Sequence, residues 1–278
     1  MIFETINSCV LISVYERDNL NWLQSALDSI DLEVINVVYV GVDGPIDSKI
    51  MNYLDSLNKQ SFKILIFKEN RGLAFVLNDL IEEALLSKYN FNFFFRMDAD
   101  DINLENRFKI QKNFMLANPS IDVLGSNALI IDSKDEVIGK LIRKTKHIDM
   151  LNEFPIITPF IHPSVCFRRS VLEKNKYPIN TIRNEDTSMW SNLLLNGMKF
   201  SNVNDYLIKY RLVHGTISRR TGFKKSFLEM KIRINFLSRS NNIFSYKTIV
   251  SIIVFLFKVT LPNVLLKFAL DMRDKLKK

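Results

Sequence analysis

Short apolar segments alternate with amphipathic helical segments through the first 130 residues of this 278-residue chain. Runs typical of buried strands occur at residues 9–14, 34–42, 62–67 and 93–95. Between them, apolar residues recur at helical spacing, and Gly72 opens the longest of these helical segments. Strands that alternate with helices in this way form a mostly parallel sheet covered on both faces. The sequence therefore predicts an α/β fold.

The strand-helix alternation becomes less regular in the second half of the chain. Residues 121–131 and 136–142 flank a polar turn and predict a β-hairpin. Further strands are predicted at residues 165–167 and 206–212, with a helix at residues 185–195 between them. We find no internal repeat and no low-complexity linker, so we expect one main domain over residues 1–220.

Three carboxylates in four positions, Asp98, Asp100 and Asp101, directly follow the fourth predicted strand. Open α/β sheets bind their ligands at the carboxyl ends of strands. Neighbouring negative charges repel one another unless a cation or solvent offsets them. A hard divalent ion, Mg²⁺ or Mn²⁺, held by oxygen atoms and shared with substrate phosphates, would do so. The alternative is a solvated Asp-rich turn that caps the next helix.

Charge and cysteine content limit the function classes. The chain carries a net charge of +8 with a pI near 9.3, and its basic residues gather from Arg211 onward. Such a surface attracts nucleic acid or an anionic membrane leaflet. Cys9 and Cys166 lie in apolar runs and have no zinc-binding spacing, which favours a reducing cytosol. The amino-terminal residues do not resemble a secretory signal.

The last segment, residues 221–278, combines apolar and basic residues. Residues 249–257 are uninterrupted and apolar, whereas a helix needs about 20 residues to span a bilayer. Lys258, Lys267 and a basic end follow. This pattern predicts a helical segment that lies at the membrane surface with its lysines reaching the headgroups. A helix pair packed on the core is the alternative.

Several motifs, taken in order, resemble those of the family 2 glycosyltransferases. They are Val10-Leu11-Ile12-Ser13-Val14-Tyr15, Val42-Asp43-Gly44, Asn70-Arg71-Gly72-Leu73, Arg96-Met97-Asp98-Ala99-Asp100-Asp101, His162-Pro163-Ser164 and Glu185-Asp186. The ordered set covers about residues 8–220 and is specific, whereas any single motif is weak. The family has the GT-A fold and inverts configuration, and the chain is most similar to its members that build O-antigen and capsule.

Two departures from the family pattern bear on function. Val42 stands where the family often has the first of two aspartates, which leaves Asp43 alone for the nucleotide base. The Gln-x-x-Arg-Trp signature of processive synthases is absent, so we expect one sugar to be added per encounter.

The resemblance implies a UDP-sugar site in the half formed by about residues 1–130. It makes Asp100 the likeliest direct ligand of Mn²⁺ or Mg²⁺ and places Asp98 near the ribose and metal, while Asp101 orients the site or caps a helix. The other donor contacts that it implies are Asp43 for uracil or ribose, Tyr15 and Glu16 in a loop over the base, Arg71 for a phosphate, and Arg211 with His214 closing over the diphosphate. On the alternative interpretation, Arg71 is an ordinary exposed arginine at a helix start, and His214 is a satisfied polar residue.

The resemblance places the acceptor half at about residues 131–220, with Asp186 as the general base and Glu185 as the second choice. The alternative is that both acids simply favour a helix N-terminus. Trp190 lies four residues after Asp186 and is predicted either to stack on the acceptor sugar or to belong to the core. His162 is a candidate on the acceptor side. Of the adjacent Arg168 and Arg169, we expect at most one to face the site.

The predicted protein is a cytoplasmic, metal-dependent, inverting hexosyltransferase, peripheral on the inner face of a bacterial membrane. It would transfer a hexose from a UDP-sugar to a saccharide on undecaprenyl diphosphate in O-antigen or capsule synthesis. A nucleotidyltransferase is the first alternative, but no Gly-rich, Lys-bearing loop follows the first strand. A catalytically silent binding protein is the second, and the intact acids Asp98, Asp100 and Asp186 argue against it. Nucleic acid is not the expected partner, because the charge lies beside apolar runs rather than in a reading helix.

Overall fold

The computed structural model describes residues 7–181, 183–213, 223–240 and 245–260. In this part of the chain, nine strands form a single sheet. The strands are β1 (Ser8–Tyr15), β2 (Val37–Asp43), β3 (Phe62–Phe67), β4 (Phe93–Asp98), β5 (Ile102–Asn103), β6 (Val123–Ile131), β7 (Val137–Leu141), β8 (Cys166–Arg168) and β9 (Phe200–Arg211).

Helices cover the sheet. They are α1 (Leu20–Asp28), α2 (Ser48–Ser56), α3 (Leu73–Leu85), α4 (Arg107–Ala117), α5 (His147–Glu153), α6 (Arg169–Leu172), α7 (Glu185–Leu195), α8 (Phe223–Arg239) and α9 (Tyr246–Thr260). A single 3₁₀ turn over His162–Ser164 precedes β8.

The strand order is β3-β2-β1-β4-β8-β6-β9-β5, with β7 paired to β6. The first four strands in this order run parallel, and β8 joins β4 in the antiparallel direction. The prediction of an α/β fold with a mostly parallel amino-terminal sheet is confirmed, as is the hairpin formed by β6 and β7. Strand β9 begins earlier than predicted, because residues 200–203 pair with the start of β6. Both predicted halves thus contribute to one continuous sheet.

The sheet separates two apolar layers, and β4 shows how. Phe94 belongs to one core cluster, together with residues of α3 and α7, whereas Phe93 and Phe95 belong to the other, with residues of α1, α2 and α4. Successive strand residues point to opposite faces, so Arg96 and Asp98 share the face of Phe94. This face is the one that α7 covers.

Asp18 and Asn19 both precede α1, and the helix cap is Asn19. Its side-chain oxygen accepts the N–H groups of Asn21 at 2.9 Å and Trp22 at 3.2 Å. The Asp18 carboxylate instead accepts the Tyr15 N–H at 2.9 Å. Because both residue types cap helices well, sequence alone did not distinguish them.

Gly41 in β2 provides a stability test of the packing between sheet and helix. A Cβ atom at this position would collide with Val76 on α3, a β-branched side chain with little freedom to move. We therefore expect Gly41→Ala to lower the free energy of unfolding by about 1–3 kcal/mol, as overpacked cores do. Urea unfolding monitored by circular dichroism would measure the change, and an unchanged midpoint would contradict this packing. The substitution Gly197→Ala tests backbone strain separately. A Cβ at this position would meet no atom within 4 Å, but the φ angle of +78° is one that alanine rarely adopts.

Helices α8 and α9 pack on the domain. On α8, the buried Arg233 pairs with Glu229 at 2.8 Å and also donates to the Phe154 carbonyl. On α9, the Ser251 hydroxyl donates to the Pro155 carbonyl at 2.7 Å. Among the described residues, we find no helix that combines the length and the apolar character needed to cross a membrane.

Candidate active site

The carboxyl ends of three neighbouring parallel strands bring the predicted donor residues to one edge of the sheet. Tyr15 at the end of β1 lies opposite Asp43 at the end of β2, and Ser13 lies opposite Asp98 at the end of β4. This is the edge at which open α/β sheets bind ligands. The predicted convergence of these residues is therefore present in the fold.

Asp43 is buried, and its carboxylate already has backbone partners. One oxygen accepts the Arg71 N–H at 2.7 Å and the other accepts the Gly72 N–H at 2.9 Å. These bonds hold the loop before α3, where Gly72 adopts a φ of +92° that favours glycine. The Arg71 guanidinium stacks over the Phe67 ring at 4.4 Å and forms an ion pair with Asp79. Asp43 thus anchors the loop, and Arg71 has protein partners.

The three carboxylates after β4 form a compact cluster. Asp98, Asp100 and Asp101 can each present an oxygen within 4.8 Å of the others. Burial, followed by the charge of Asp98, raises the pKa of Asp100 to about 6. Burial, followed by the charge of Asp100, raises the pKa of Asp101 well above its ordinary value. One Asp101 oxygen is buried and has no partner among the described residues. An all-oxygen cluster with this excess of negative charge fits a hard divalent cation.

Arg211, at the end of β9, is hydrogen-bonded to the loop that carries Asp100 and Asp101. Its backbone N–H donates to the Asp101 carboxylate at 2.8 Å, and its Nε donates to the Asp100 carbonyl at 2.7 Å. The guanidinium also lies over the Trp22 ring at 4.8 Å, and the side chain is fully buried. The expectation that Arg211 closes over the diphosphate is therefore wrong, because these contacts commit it to the loop. His214 lies outside the described residues.

The second pair of acids opens α7. One Asp186 oxygen accepts the Thr187 N–H at 2.7 Å, and the side chain is partly exposed. Glu185 is also partly exposed, and burial raises its pKa above its ordinary value, with the Asp186 charge adding to the effect. The Asn184 side chain donates to the Lys225 carbonyl at 3.0 Å, which ties this helix start to α8.

A buried tyrosine, Tyr177, lies beside the 3₁₀ turn that precedes β8. The Tyr177 hydroxyl is 2.8 Å from Nε2 of His162, and burial raises the pKa of this hydroxyl. It also interacts electrostatically with the acids of both groups, Asp98, Glu185 and Asp186. Burial, followed by the charge of Arg96, lowers the pKa of His162 well below its ordinary value. Tyr177 is thus within electrostatic reach of the acids after β4 and of those that open α7.

Three residues that we considered for this site have structural roles instead. Trp190 is 0% exposed and contacts Phe160, Phe167 and Phe200, so its ring cannot stack on an acceptor sugar. Arg168 donates to the carbonyl of Met115 in α4 and to that of Ile121 before β6, and Arg169 donates to Glu173 and to the Phe91 carbonyl near β4. None of these partners belongs to the acidic cluster after β4 or to the acids that open α7.

Sequence reasoning missed one functional candidate, Arg96. It is 3% exposed, lies two residues before Asp98 and forms an ion pair with it. The signal was a lone charge within a strand that is otherwise apolar up to its last residue, since buried charges are rare unless they are paired.

Comparison with known proteins is consistent with this geometry. No family model matches the chain. It is 27% identical over 263 residues to the UDP-Gal:alpha-D-GlcNAc-diphosphoundecaprenol beta-1,3-galactosyltransferase of Escherichia coli, covering 94% of each chain. It is 24% identical to the O-antigen biosynthesis glycosyltransferase WbnJ of Escherichia coli, covering 82% of this chain and 92% of that one.

Solved structures show the same fold. The chain resembles residues 1–349 of S. aureus TarS in complex with UDP-GlcNAc, with a TM-score of 0.61, 16% identity, and coverage of 91% of this chain and 82% of that one. It also resembles a mannosyltransferase from Pyrobaculum calidifontis in complex with GDP-Man and Mn²⁺, with a TM-score of 0.58, 14% identity, and coverage of 96% and 80%. The chain is a glycosyltransferase of the GT-A fold, related to bacterial enzymes that build surface polysaccharides.

Proposed function

We propose that this glycosyltransferase moves a hexose, with inversion, from a UDP-sugar to a saccharide carried on polyprenyl diphosphate, in O-antigen or capsule synthesis. The observation that carries the proposal is the carboxylate cluster at the carboxyl end of β4, where Asp98, Asp100 and Asp101 can each present an oxygen within 4.8 Å of the others. A nucleotide diphosphate binds an open sheet at this edge, and the second group of acids, Glu185 and Asp186, opens α7. The substrates named for one relative, UDP-Gal and a diphosphoundecaprenol-linked GlcNAc, support the same substrate classes.

On the donor side, Asp98 and Asp100 would hold Mn²⁺ or Mg²⁺. The ion, when bound, would stabilise the charge that develops on the leaving diphosphate. The Mn²⁺ in the structurally similar mannosyltransferase supports this assignment. We assign the remaining donor contacts to Tyr15, Glu16, Asp43, Arg71 and His214, of which Asp43 contributes mainly by fixing the loop before α3.

On the acceptor side, Asp186 would take the proton from the attacking hydroxyl group. Its partial exposure at the start of α7 supports this role, because the base must reach the acceptor hydroxyl on the face opposite the leaving group. Glu185 remains the second choice, and its raised pKa also suits proton transfer. His162 contributes through its bond to Tyr177 rather than by direct contact with the acceptor.

The direct test is UDP release from a panel of UDP-sugars, with and without Mn²⁺, in the presence of a synthetic lipid-diphosphate GlcNAc acceptor. We expect one UDP-hexose to be consumed in an acceptor-dependent manner, and EDTA to stop the reaction. If UDP-sugars bind but no acceptor or metal releases UDP, the silent binding protein becomes the better description.

We further propose that α8 and α9 dock on an anionic membrane, as the polyprenyl-linked acceptor requires. Tyr246, Ile249 and Ile253 project from α9, and Ile249 is 63% exposed. Phe223 and Phe227 on α8 stack on each other and are exposed beside the same helix. An apolar face flanked by lysines is typical of helices that lie at a membrane surface.

A chain that ends near Tyr246 should lose sedimentation with anionic liposomes while it keeps some activity on a short-chain acceptor. The reason is that the truncation removes both the apolar face of α9 and the basic residues that follow it. Co-sedimentation with phosphatidylglycerol vesicles, compared with neutral vesicles, measures the effect.

A finer version of this test leaves the chain length unchanged. The double variant Ile249→Ser/Ile253→Ser should weaken vesicle binding, whereas the matched double variant Val137→Ser/Ile138→Ser, on the exposed strand β7, should not. Equal binding by the truncated and the full-length chain would place the membrane contact elsewhere.

A further inference from the structure

The buried Arg96 interacts with residues of both groups of acids. Its guanidinium pairs with Asp98, and its charge also acts on Tyr177 and Asp101. It acts on Glu185 and His162 as well. Arg96 is thus a buried cation that is paired with an acid of the cluster after β4 and lies within electrostatic reach of Glu185 on α7.

Two guanidinium nitrogens of Arg96, Nε and Nη1, are buried and have no hydrogen-bond partner among the described residues. The nearby Arg107 differs, because its three guanidinium nitrogens donate to Gln111, to Asn103 and to the Arg96 carbonyl. A buried charged donor without a partner is costly, so a ligand atom is expected to complete the set.

The surroundings determine which kind of ligand group fits. Asp98 already neutralises the charge of Arg96, and further carboxylates lie close by at Asp101 and Glu185. A second anion would be repelled by these acids, whereas a neutral hydroxyl oxygen can accept from the guanidinium. The same hydroxyl can donate its proton to a neighbouring carboxylate. A cationic donor, Arg96, surrounded by carboxylate acceptors is therefore suited to a polyhydroxylated, neutral ligand.

We propose that Arg96 binds a hydroxyl oxygen of the hexose that is transferred and helps to select that hexose. The inference rests on the proposed function, in which the diphosphate lies at Asp98 and Asp100 and the acceptor lies at Asp186. Arg96 shares the sheet face of Asp98 and precedes it by two residues, about 7 Å along the strand. In the proposed function, the sugar extends from the diphosphate at Asp98 and Asp100 toward Asp186, and Arg96 is paired with Asp98 and within electrostatic reach of Glu185.

The test compares the binding of UDP with the binding of intact UDP-sugars, by calorimetry in Mn²⁺ without acceptor. The probes are UDP, the tightest-binding of UDP-galactose, UDP-glucose and UDP-GlcNAc, and analogues of that sugar that each lack one hydroxyl. We expect Arg96→Met to weaken UDP-sugar binding by about 10- to 100-fold and to change UDP binding by less than about 2-fold. In the wild type, one deoxy analogue should bind weakly, and Arg96→Met should not weaken that analogue further.

The control is Arg168→Met, which removes another arginine of the sheet whose bonds go to backbone carbonyls away from the acids. It should leave both affinities unchanged. Equal losses for UDP and UDP-sugar in Arg96→Met would show that Arg96 acts only through Asp98, and would overturn the inference. Equal binding of all deoxy analogues by the wild type would overturn it without any variant. Wild-type protein that binds no UDP-sugar would instead overturn the proposed function.

Discussion

Asp100→Ala should abolish transfer and should weaken UDP binding in Mn²⁺ far more than in EDTA. Asp100 is one of three carboxylates whose oxygens lie within 4.8 Å of one another, and their mutual repulsion is what a divalent cation would relieve. Without Asp100, the cluster would lose an oxygen ligand for that cation, and UDP would lose the affinity that the cation supplies. In EDTA, the cation is absent in both proteins, so the substitution should have little further effect on affinity.

Calorimetric titration of UDP into wild type and variant, each in saturating Mn²⁺ and in EDTA, measures this difference. The matched control is Asp55→Ala, which removes an exposed aspartate of α2 outside the cluster and should leave UDP affinity unchanged both in Mn²⁺ and in EDTA. Identical UDP affinity of wild type and Asp100→Ala in saturating Mn²⁺ would show that Asp100 is not a metal ligand. Thermal unfolding without Mn²⁺ provides a check on folding, because removing one of several repelling charges should not destabilise the metal-free protein.

Features of the fold that depend on local sequence were predictable, whereas features that depend on contacts between distant residues were not. Strand β3 and helix α7 begin and end at the predicted residues, because period and β-branched content are local properties. The donor edge was also predictable, since parallel strands bring their carboxyl ends together. Trp190 shows where this reasoning stops. Helical spacing relates it to Asp186, but only contacts with distant phenylalanines determine that it is buried.

The arginines illustrate the same limit in the site. Arg211 is 111 positions from Asp100 in the sequence, and the bond between them depends on the pairing of β5 with β9. The motif alone predicted that Arg211 closes over the diphosphate, whereas in the fold Arg211 is bonded to Asp100 and Asp101 of the acidic loop. Arg96 is adjacent to the cluster in sequence, yet its importance depends on Tyr177 and Glu185, which only the folded chain brings near it. Long-range contacts therefore set the roles of residues whose types were visible from the start.

Asp186→Asn should lower turnover by about 10²- to 10⁴-fold, the range that a positioned acid or base contributes, while UDP-sugar affinity stays unchanged. Asparagine keeps the shape of the side chain and an oxygen that can accept the Thr187 N–H, so the start of α7 should be preserved. It cannot accept the proton of the attacking hydroxyl. Single-turnover rates and UDP-sugar affinity, measured on the same preparation, separate the two effects. Turnover within a few-fold of wild type would make Asp186 a helix-start acid only. A collapse of turnover in Glu185→Gln would then assign the base to Glu185, whose burial and raised pKa suit it to hold that proton.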